Sequence, residues 1–330
     1  LPLLASAVAA VAGLVLATTP APPQVVMTLT DPTLIESSGL AVSATHPGVL
    51  WTHNDGGSVA NVLAVGRDGS TVATVTLAGI DPYDPEALAP GTDDQGRPAL
   101  FLGDLGDNRR SRPDVSVFQF REPTRLADAT VPARWYRFTY PDGPHDAEAL
   151  LVDPDGRIMV ATKEISGAAL YQAPRKPVTE AVGTNALTRL AGVPALVTDG
   201  AYLPDGRFVL RTYTSVYVYD RPGHEVARAL LPSQPQGESI AADGDRLLIG
   251  SEGARSTVLA VPVPGGPSHP ASPTASSAAP SPTASPTDSA PERGGTSTST
   301  WAFRAVAVAV LVGGLVAVVA RRRQATGSIR

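Results

Sequence analysis

Five short apolar strands in this chain each begin at a residue able to do chemistry: Ser38, Glu86, Glu148, Asp199 and Glu238, at intervals of 48, 62, 51 and 39 residues. Four of the five are acids. Carboxylates gathered around one axis repel, so they stay ionised only if a cation or a basic side chain neutralises them. Lys163 and Arg211 are the basic candidates from within the chain. Calcium is the other candidate, because hard oxygen donors suit it and a chain with no Cys and five His offers little to zinc. Glu36, two residues before Ser38 and on the same side of an extended chain, can supply the acid missing from the fifth position.

A second polar set follows the next strand of each unit. It comprises His53-Asn54-Asp55, then Asp104, Asp107, Asn108 and Arg109, then Lys163-Glu164, Arg211 and finally Glu252. The segment Gly103-Asp-Leu-Gly-Asp-Asn-Arg109 is the densest, with three oxygen-bearing side chains on a loop tightened by two glycines. Such Asp/Asn/Gly loops bind metal, but they also occur as plain turns whose side chains cap backbone N–H groups. His145, three residues before Glu148, is a candidate proton donor or anion contact. The chain has no Gly-x-Ser-x-Gly elbow, no His-Glu-x-x-His site and no phosphate-binding glycine loop. The remaining vocabulary is carboxylate plus metal, with Lys or Arg for an anion, which suits hydrolysis by a metal-activated water or a paired-carboxylate glycosidase.

What could position these residues is a four-stranded unit repeated five times. Each opening residue begins a strand A. Strand B follows at 49–52, 99–102, 157–161, 208–211 and 246–249, and strand C at 61–65, 115–120, 168–172, 215–219 and 257–261. An outer strand D is legible at 71–77, 134–140, 187–190 and 225–231. The turns Pro154-Asp155-Gly156, Pro204-Asp205-Gly206 and Asp243-Gly244 join A to B, and Asp68-Gly69 joins C to D. The fifth unit lacks a D strand, and the run 25–30 ahead of the first strand A can supply it. The expected fold is therefore all-β, a five-bladed β-propeller closed by an N-terminal strand. Six blades are the alternative raised by the 62-residue interval, and a two-sheet sandwich would not explain the recurring opening. In such blades the D–A and B–C connections share one end of the ring, so both polar sets converge on one mouth.

Beyond the propeller, assigned to residues 21–264, composition marks further segments. Residues 1–20 read as a signal peptide or hydrophobic N-terminal segment. Residues 265–300 are a Pro/Ser/Thr/Ala-rich disordered stalk. Residues 301–320 contain Arg304 as their one charged residue; as a helix they would span about 30 Å, the thickness of a bilayer core, with basic residues 321–330 on the cytoplasmic side. The expected location is the cell membrane, crossed once, with the propeller extracellular. A net charge of −5 gives no sign of nucleic-acid binding, and without Cys no disulfide staples the domain.

The motifs Trp51-Thr-His-Asn-Asp-Gly-Gly, Gly103-Asp-Leu-Gly-Asp-Asn-Arg, Tyr140-Pro-Asp-Gly, Asp146-Ala-Glu-Ala-Leu and Thr162-Lys-Glu, within residues 34–260, resemble secreted or surface-anchored actinobacterial propeller proteins of uncertain function. More distantly, the set Glu86, Asp104, Asp107, Glu148, Asp199 and Glu238 is similar to the acidic channel end of calcium-dependent phytase-like propellers, which implies Ca2+ at these six residues. The combined expectation is a surface binding module for an extracellular small molecule, glycan or protein. Its ligand face would be Glu36, His53, Asn54, Asp55, Asn108, Arg109, Glu164 and Glu252. The alternative is a metal-dependent hydrolase of phosphate or other esters, using His145, Glu148, Lys163 and Arg211.

Overall fold

A computed structural model describes residues 23–56 and 59–266. The segment 1–20, the stalk from 267 onward, the segment 301–320 and the tail 321–330 lie outside the described residues. The described residues contain only strands, turns and loops, so no helix among them is long and apolar enough to cross a membrane.

Twenty-two strands form five sheets arranged as the blades of a propeller. The first strand, β1 (Gln24–Thr28), ignores its sequence neighbour and pairs antiparallel with the last, β22 (Thr257–Pro262), from Gln24 opposite Ala260 to Thr28 opposite Thr257. It completes the blade of β20 (Ile240–Asp243), β21 (Arg246–Ile249) and β22, closing the ring with both ends of the chain. Blade 1 is β2 (Ser37–Val42), β3 (Leu50–Asn54), β4 (Asn61–Val65) and β5 (Thr71–Leu77). Blade 2 is β6 (Pro85–Thr92), β7 (Pro98–Asp104), β8 (Val115–Arg121) and β10 (Arg134–Thr139). Blade 3 is β11 (Ala147–Val152), β12 (Ile158–Thr162), β13 (Ala169–Gln172) and β15 (Thr188–Gly192). Blade 4 is β16 (Val197–Tyr202), β17 (Phe208–Thr212), β18 (Ser215–Arg221) and β19 (His224–Leu230).

Two short strands had no sequence signal. β9 (Ala129–Val131) runs parallel to β5, and β14 (Thr184–Ala186) runs parallel to β10. Each comes from the C–D connection of the following blade and covers an outer edge that would otherwise present unpaired backbone groups. β9 also accounts for part of the long interval between Glu86 and Glu148, leaving five blades and not six.

The core is divided between the blades. Five apolar clusters fill the five contacts between neighbours, for example Trp51 and Val62 of blade 1 against Leu88, Leu100 and Phe118 of blade 2, and Leu40 and Leu63 of blade 1 against Leu248 and Val258 of blade 5. Inner strands are therefore buried along nearly their whole length, whereas outer strands such as β5 alternate. Below the mouth the axis is lined by apolar residues from all five inner strands, including Leu40, Ala89, Leu150, Ala201 and Ile240.

The hairpin glycines sit where positive φ was expected: Gly69 (78°), Gly156 (80°), Gly206 (86°) and Gly244 (64°). Four A–B turns are further pinned by a local ion pair: Asp93–Arg97, Asp153–Arg157, Asp205–Arg207 and Asp243–Arg246.

Gly39 marks a close approach of two inner strands, since a Cβ there would lie 2.5 Å from the Leu88 backbone nitrogen and 2.7 Å from His53 Nε2. Gly39→Ala should therefore destabilise the protein by roughly 2–3 kcal/mol through overpacking, lowering Tm by about 4–12 °C. Thermal unfolding monitored by near-UV circular dichroism checks this; an unchanged Tm would mean the blades can separate freely.

Candidate functional site

The D–A and B–C connections do share one end of the ring, and a recurring hydrogen bond ties them together. Asp55 N–H donates to Glu36 O (2.7 Å), Gly106 N–H to Asp84 O (3.1 Å), Lys163 N–H to Asp146 O (2.9 Å) and Glu252 N–H to Gln236 O (2.9 Å). Where strand A enters from this end the register slips by one residue in blades 1 to 4. The extra residue is Glu86 in blade 2, Glu148 in blade 3 and Thr198 in blade 4, and it falls within Ser38-Gly39 in blade 1. A bulge of this kind re-aims the side chain it carries.

The bulge corrects one assignment. Ser38 Oγ donates to Glu86 O (3.0 Å), and Thr198 Oγ1 donates to Glu238 O (2.9 Å), so Thr198 is the blade-4 counterpart of Ser38. Asp199 is one residue out of phase. Its carboxylate accepts from the backbone N–H groups of Gly200 and Ile240, both at 2.7 Å, and joins blade 4 to blade 5. Burial pushes its pKa well up despite those bonds. The first ring at the mouth is thus Ser38, Glu86, Glu148, Thr198 and Glu238. The first residues after the B strands of blades 1 to 4, Asp55, Leu105, Lys163 and Tyr213, make a second, to which blade 5 adds Glu252, three residues past its B strand.

Charge is unevenly distributed between these rings. Glu86, Glu148 and Glu238 are each more than nine-tenths buried, and Lys163 is the one ammonium among them. It forms an ion pair with Glu148 and lies 5.2 Å from the centre of the Tyr213 ring. Burial alone would lower the Lys163 pKa, but Glu148, Glu238 and Glu86 together hold its proton well above the ordinary range. Burial, with Glu148, Asp55 and Asp84 nearby, raises Glu86, whereas Lys163 opposes the rise. Burial likewise raises Glu148, offset in part by Lys163 and reinforced by Glu238. Glu252 is pushed up to about 8 by burial and by Glu238, Asp55 and Glu36. One ammonium cannot neutralise so many acids, so without a further cation the surplus carboxylates hold protons.

A cation has a place to go. Ligand oxygens of Asp55, Asp84 and Glu86 lie within 4.8 Å of one another, about twice a typical calcium–oxygen bond of 2.4 Å. All three are hard donors. Glu148 Oε2 and Glu238 Oε2 are buried without a hydrogen-bond partner among the described residues, so further oxygens remain available. Gly106 passes so near that a Cβ would lie 2.8 Å from Glu86 Oε1.

Several expected site residues are committed elsewhere. Asp104 accepts both terminal nitrogens of Arg112, at 2.9 and 3.0 Å, and caps the Asp84 N–H at 2.8 Å. Asp107 accepts the Arg112 N–H (2.8 Å), and its own N–H donates to Asp146 Oδ1 (2.8 Å). The Gly103–Arg109 loop is thus a scaffold that shapes the mouth, with Asn108 and Arg109 exposed upon it. Arg211 is wholly buried. It donates to Ser239 O and Gly250 O and to Gln234 Oε1, and desolvation lowers its pKa to about 10, so it ties two blades together and does not reach a ligand. His53 occupies the equivalent slot in blade 1, where burial lowers its pKa to about 4 and keeps the ring neutral.

His145 lies in a separate aromatic nest. It is bonded to Glu164 (2.7 Å) and Asp142 (3.1 Å), against Tyr140 and Tyr171, with Glu164 also 3.7 Å from Arg110. Neither it nor Glu164 joins the acidic cluster. Asn54 binds the Glu36 N–H and Thr33 O, while the Glu36 side chain is exposed at the rim.

Sequence reasoning missed Asp84, Arg112 and Thr198. Asp84 stands two residues before Glu86, the spacing of Glu36 to Ser38, and that signal would have found it.

No family model matches the sequence, and no curated protein is significantly similar to it. Solved structures with a similar course of the chain include a gluconolactonase from Xanthomonas campestris (14% identity, 74% of this chain and 96% of that one, TM-score 0.42). They also include a glucose dehydrogenase (10%, 73% and 99%, 0.45) and the calcium-binding regucalcin of Agrobacterium tumefaciens (14%, 73% and 96%, 0.38). At these values the likenesses carry no argument about the mouth, which rests on its own residues.

If the Gly103–Arg109 loop is a scaffold, Arg112→Met should destabilise the protein by on the order of 3 kcal/mol, by leaving Asp104 buried without its partner. Arg109→Ala, at an exposed position, should leave Tm within about 1 °C. Equal effects in differential scanning calorimetry would contradict this assignment.

Proposed function

We propose that the mouth is a calcium-binding recognition site. The observation that carries this reading is the Asp55–Asp84–Glu86 group, whose ligand oxygens lie within 4.8 Å of one another, beside the buried and unpartnered Glu148 Oε2. Asp55, Asp84 and Glu86 would hold the ion and Glu148 would complete its oxygen shell. The ion would supply a positive centre for an oxygen-bearing ligand in a site that is otherwise acidic. Lys163 and Tyr213 then serve the same ligand as a second positive charge and a hydroxyl. With residues 301–320 as a membrane anchor and 265–300 as a stalk, the propeller would display this mouth outside the cell to a small molecule, glycan or protein.

A second reading, metal-dependent ester hydrolysis, draws on one arrangement. Lys163, charged and paired with Glu148, adjoins the proposed ion site and can offer a proton or hold an anion. Turnover of phosphate or carboxylate esters by the calcium-loaded protein, lost in Lys163→Met, would favour it over pure binding.

Calcium at about 100 times its Kd should stabilise the protein by roughly 2.7 kcal/mol, raising Tm by about 5–10 °C. Asp55→Asn/Glu86→Gln should abolish that shift, and an unshifted wild type would refute the reading.

The metal-free protein should also be pH-sensitive. Glu252 titrates near 4.5 when unfolded and near 8 when folded. Above pH 6.5 the unfolded chain has lost this proton and the folded protein still holds it. Stability must therefore fall as pH rises from 7.5 towards 8.5, a range that lies about one unit or more above the unfolded His53 value of 6.5, so that His53 is almost wholly neutral in both states. Melting curves at the two pH values, with chelator and with calcium, check this: the decline should appear with chelator and shrink with calcium.

A further inference from the structure

The two ends of the propeller differ in what they expose. At the end opposite the mouth none of the A–B turns carries an exposed large apolar side chain, four of the five hold an arginine paired with a local aspartate, and the exposed Val178 and Val182 sit on a single C–D connection, that of blade 3. The mouth end carries Ile35, Val59, Tyr83, Ile165 and Leu196 on D–A or B–C connections, with Tyr83 66% and Ile165 81% exposed. Backbone hydrogen bonds fix two of these at the rim: Gly253 N–H donates to Ile35 O (2.9 Å), and Leu196 N–H to Glu164 O (3.0 Å), next to Ile165. The Tyr83 ring lies 5.0 Å from the Arg112 guanidinium that holds Asp104.

Backbone strain is confined to the same end. Among the described residues three non-glycine residues have positive φ: Arg110 (50°), Leu196 (59°) and Arg255 (56°), each on a mouth connection. A leucine in this conformation is disfavoured by its Cβ, and Leu196 still exposes 37% of its surface to water. Neither its conformation nor its burial repays that placement, which is the pattern of a residue held for contact with something else. Arg109 and Arg255 are exposed here and make no ion pair among the described residues, unlike the paired arginines of the opposite end.

We infer that the mouth takes a soluble anionic amphiphile, with its acidic head at the cation held by Asp55, Asp84 and Glu86 and its apolar body against Ile35, Tyr83, Ile165 and Leu196. This rests on the calcium reading for the head and on the collar alone for the body. Arg109 and Arg255 favour an anion as it approaches. A molecule-sized ligand fits better than a bilayer because the apolar side chains stand singly between polar ones in Asp81-Pro-Tyr83-Asp84 and Glu164-Ile165-Ser166, and the apolar run of the Leu196 connection, Val193-Pro-Ala-Leu196, is only four residues long. No connection offers the continuous apolar face of a membrane-inserting segment.

Isothermal titration of the full chain with octanoate below its micellar range, and with acetate as the head alone, tests this with and without calcium. Octanoate should bind at least about tenfold more tightly than acetate, the gain expected from burying several methylenes, and calcium should strengthen both. Leu196→Gly relieves the left-handed leucine, so it should keep or raise Tm and preserve the calcium-induced shift while weakening octanoate about tenfold. Ile165→Ser should act in the same direction. Equal affinity for octanoate and acetate, full octanoate affinity in both variants, or binding only to phosphatidylglycerol vesicles would each overturn the collar. An octanoate preference with no response to calcium would overturn the cation reading, and with it the placement of the head, while the collar stands.

Discussion

Everything at the mouth follows from five strands converging on one axis. Near the axis there is room only for small or apolar residues, and Gly39, Ala87, Ala149, Gly200 and Ala241 lie on the five inner strands. Where the strands reach the mouth they can diverge, and the one-residue bulge turns a side chain towards the axis in consecutive blades. The same convergence that excludes water from the core brings Glu86, Glu148 and Glu238 close enough to share one ammonium. Packing thereby creates an electrostatic deficit, and the deficit defines the chemistry.

Buried charge is handled in two ways in this protein. Asp104 and Asp199 are fully engaged, by Arg112 and by backbone N–H groups, and Arg211 is engaged at both terminal nitrogens by backbone carbonyls and Gln234, with its Nε left without a partner; all three hold loops and blades in place. Glu148 and Glu238 are satisfied incompletely, each with a bare buried oxygen. Satisfied groups give stability, and unsatisfied ones leave binding energy available for a ligand. The incompletely satisfied acids are a better guide to function than the density of polar residues in the sequence.

Legibility followed periodicity. The B and C strands and the closing role of β1 were readable because alternation, turn glycines and an unmatched fifth D strand are local signals or simple counts. β9 and β14 were not, because three-residue parallel strands depend on where a long connection happens to meet an edge. At the site, Asp55, Glu86, Glu148, Lys163, Glu238 and Glu252 were legible from the repeat. Asp199 was misplaced because a bulge shifts the repeat by one residue, and no composition rule distinguishes Thr198-Asp199 from a plain Asp opening.

The sequence by itself determined an all-β ring of five similar blades, one polar end, and more acids than bases at that end, since each follows from period, alternation and residue count. Only the tertiary structure decided which acids meet a ligand and which are bound by their own protein. That choice depends on a slip of register and on a guanidinium eight residues beyond Asp104. It also depends on close approaches between blades far apart in the chain, and distances of a few ångströms are not encoded in spacing.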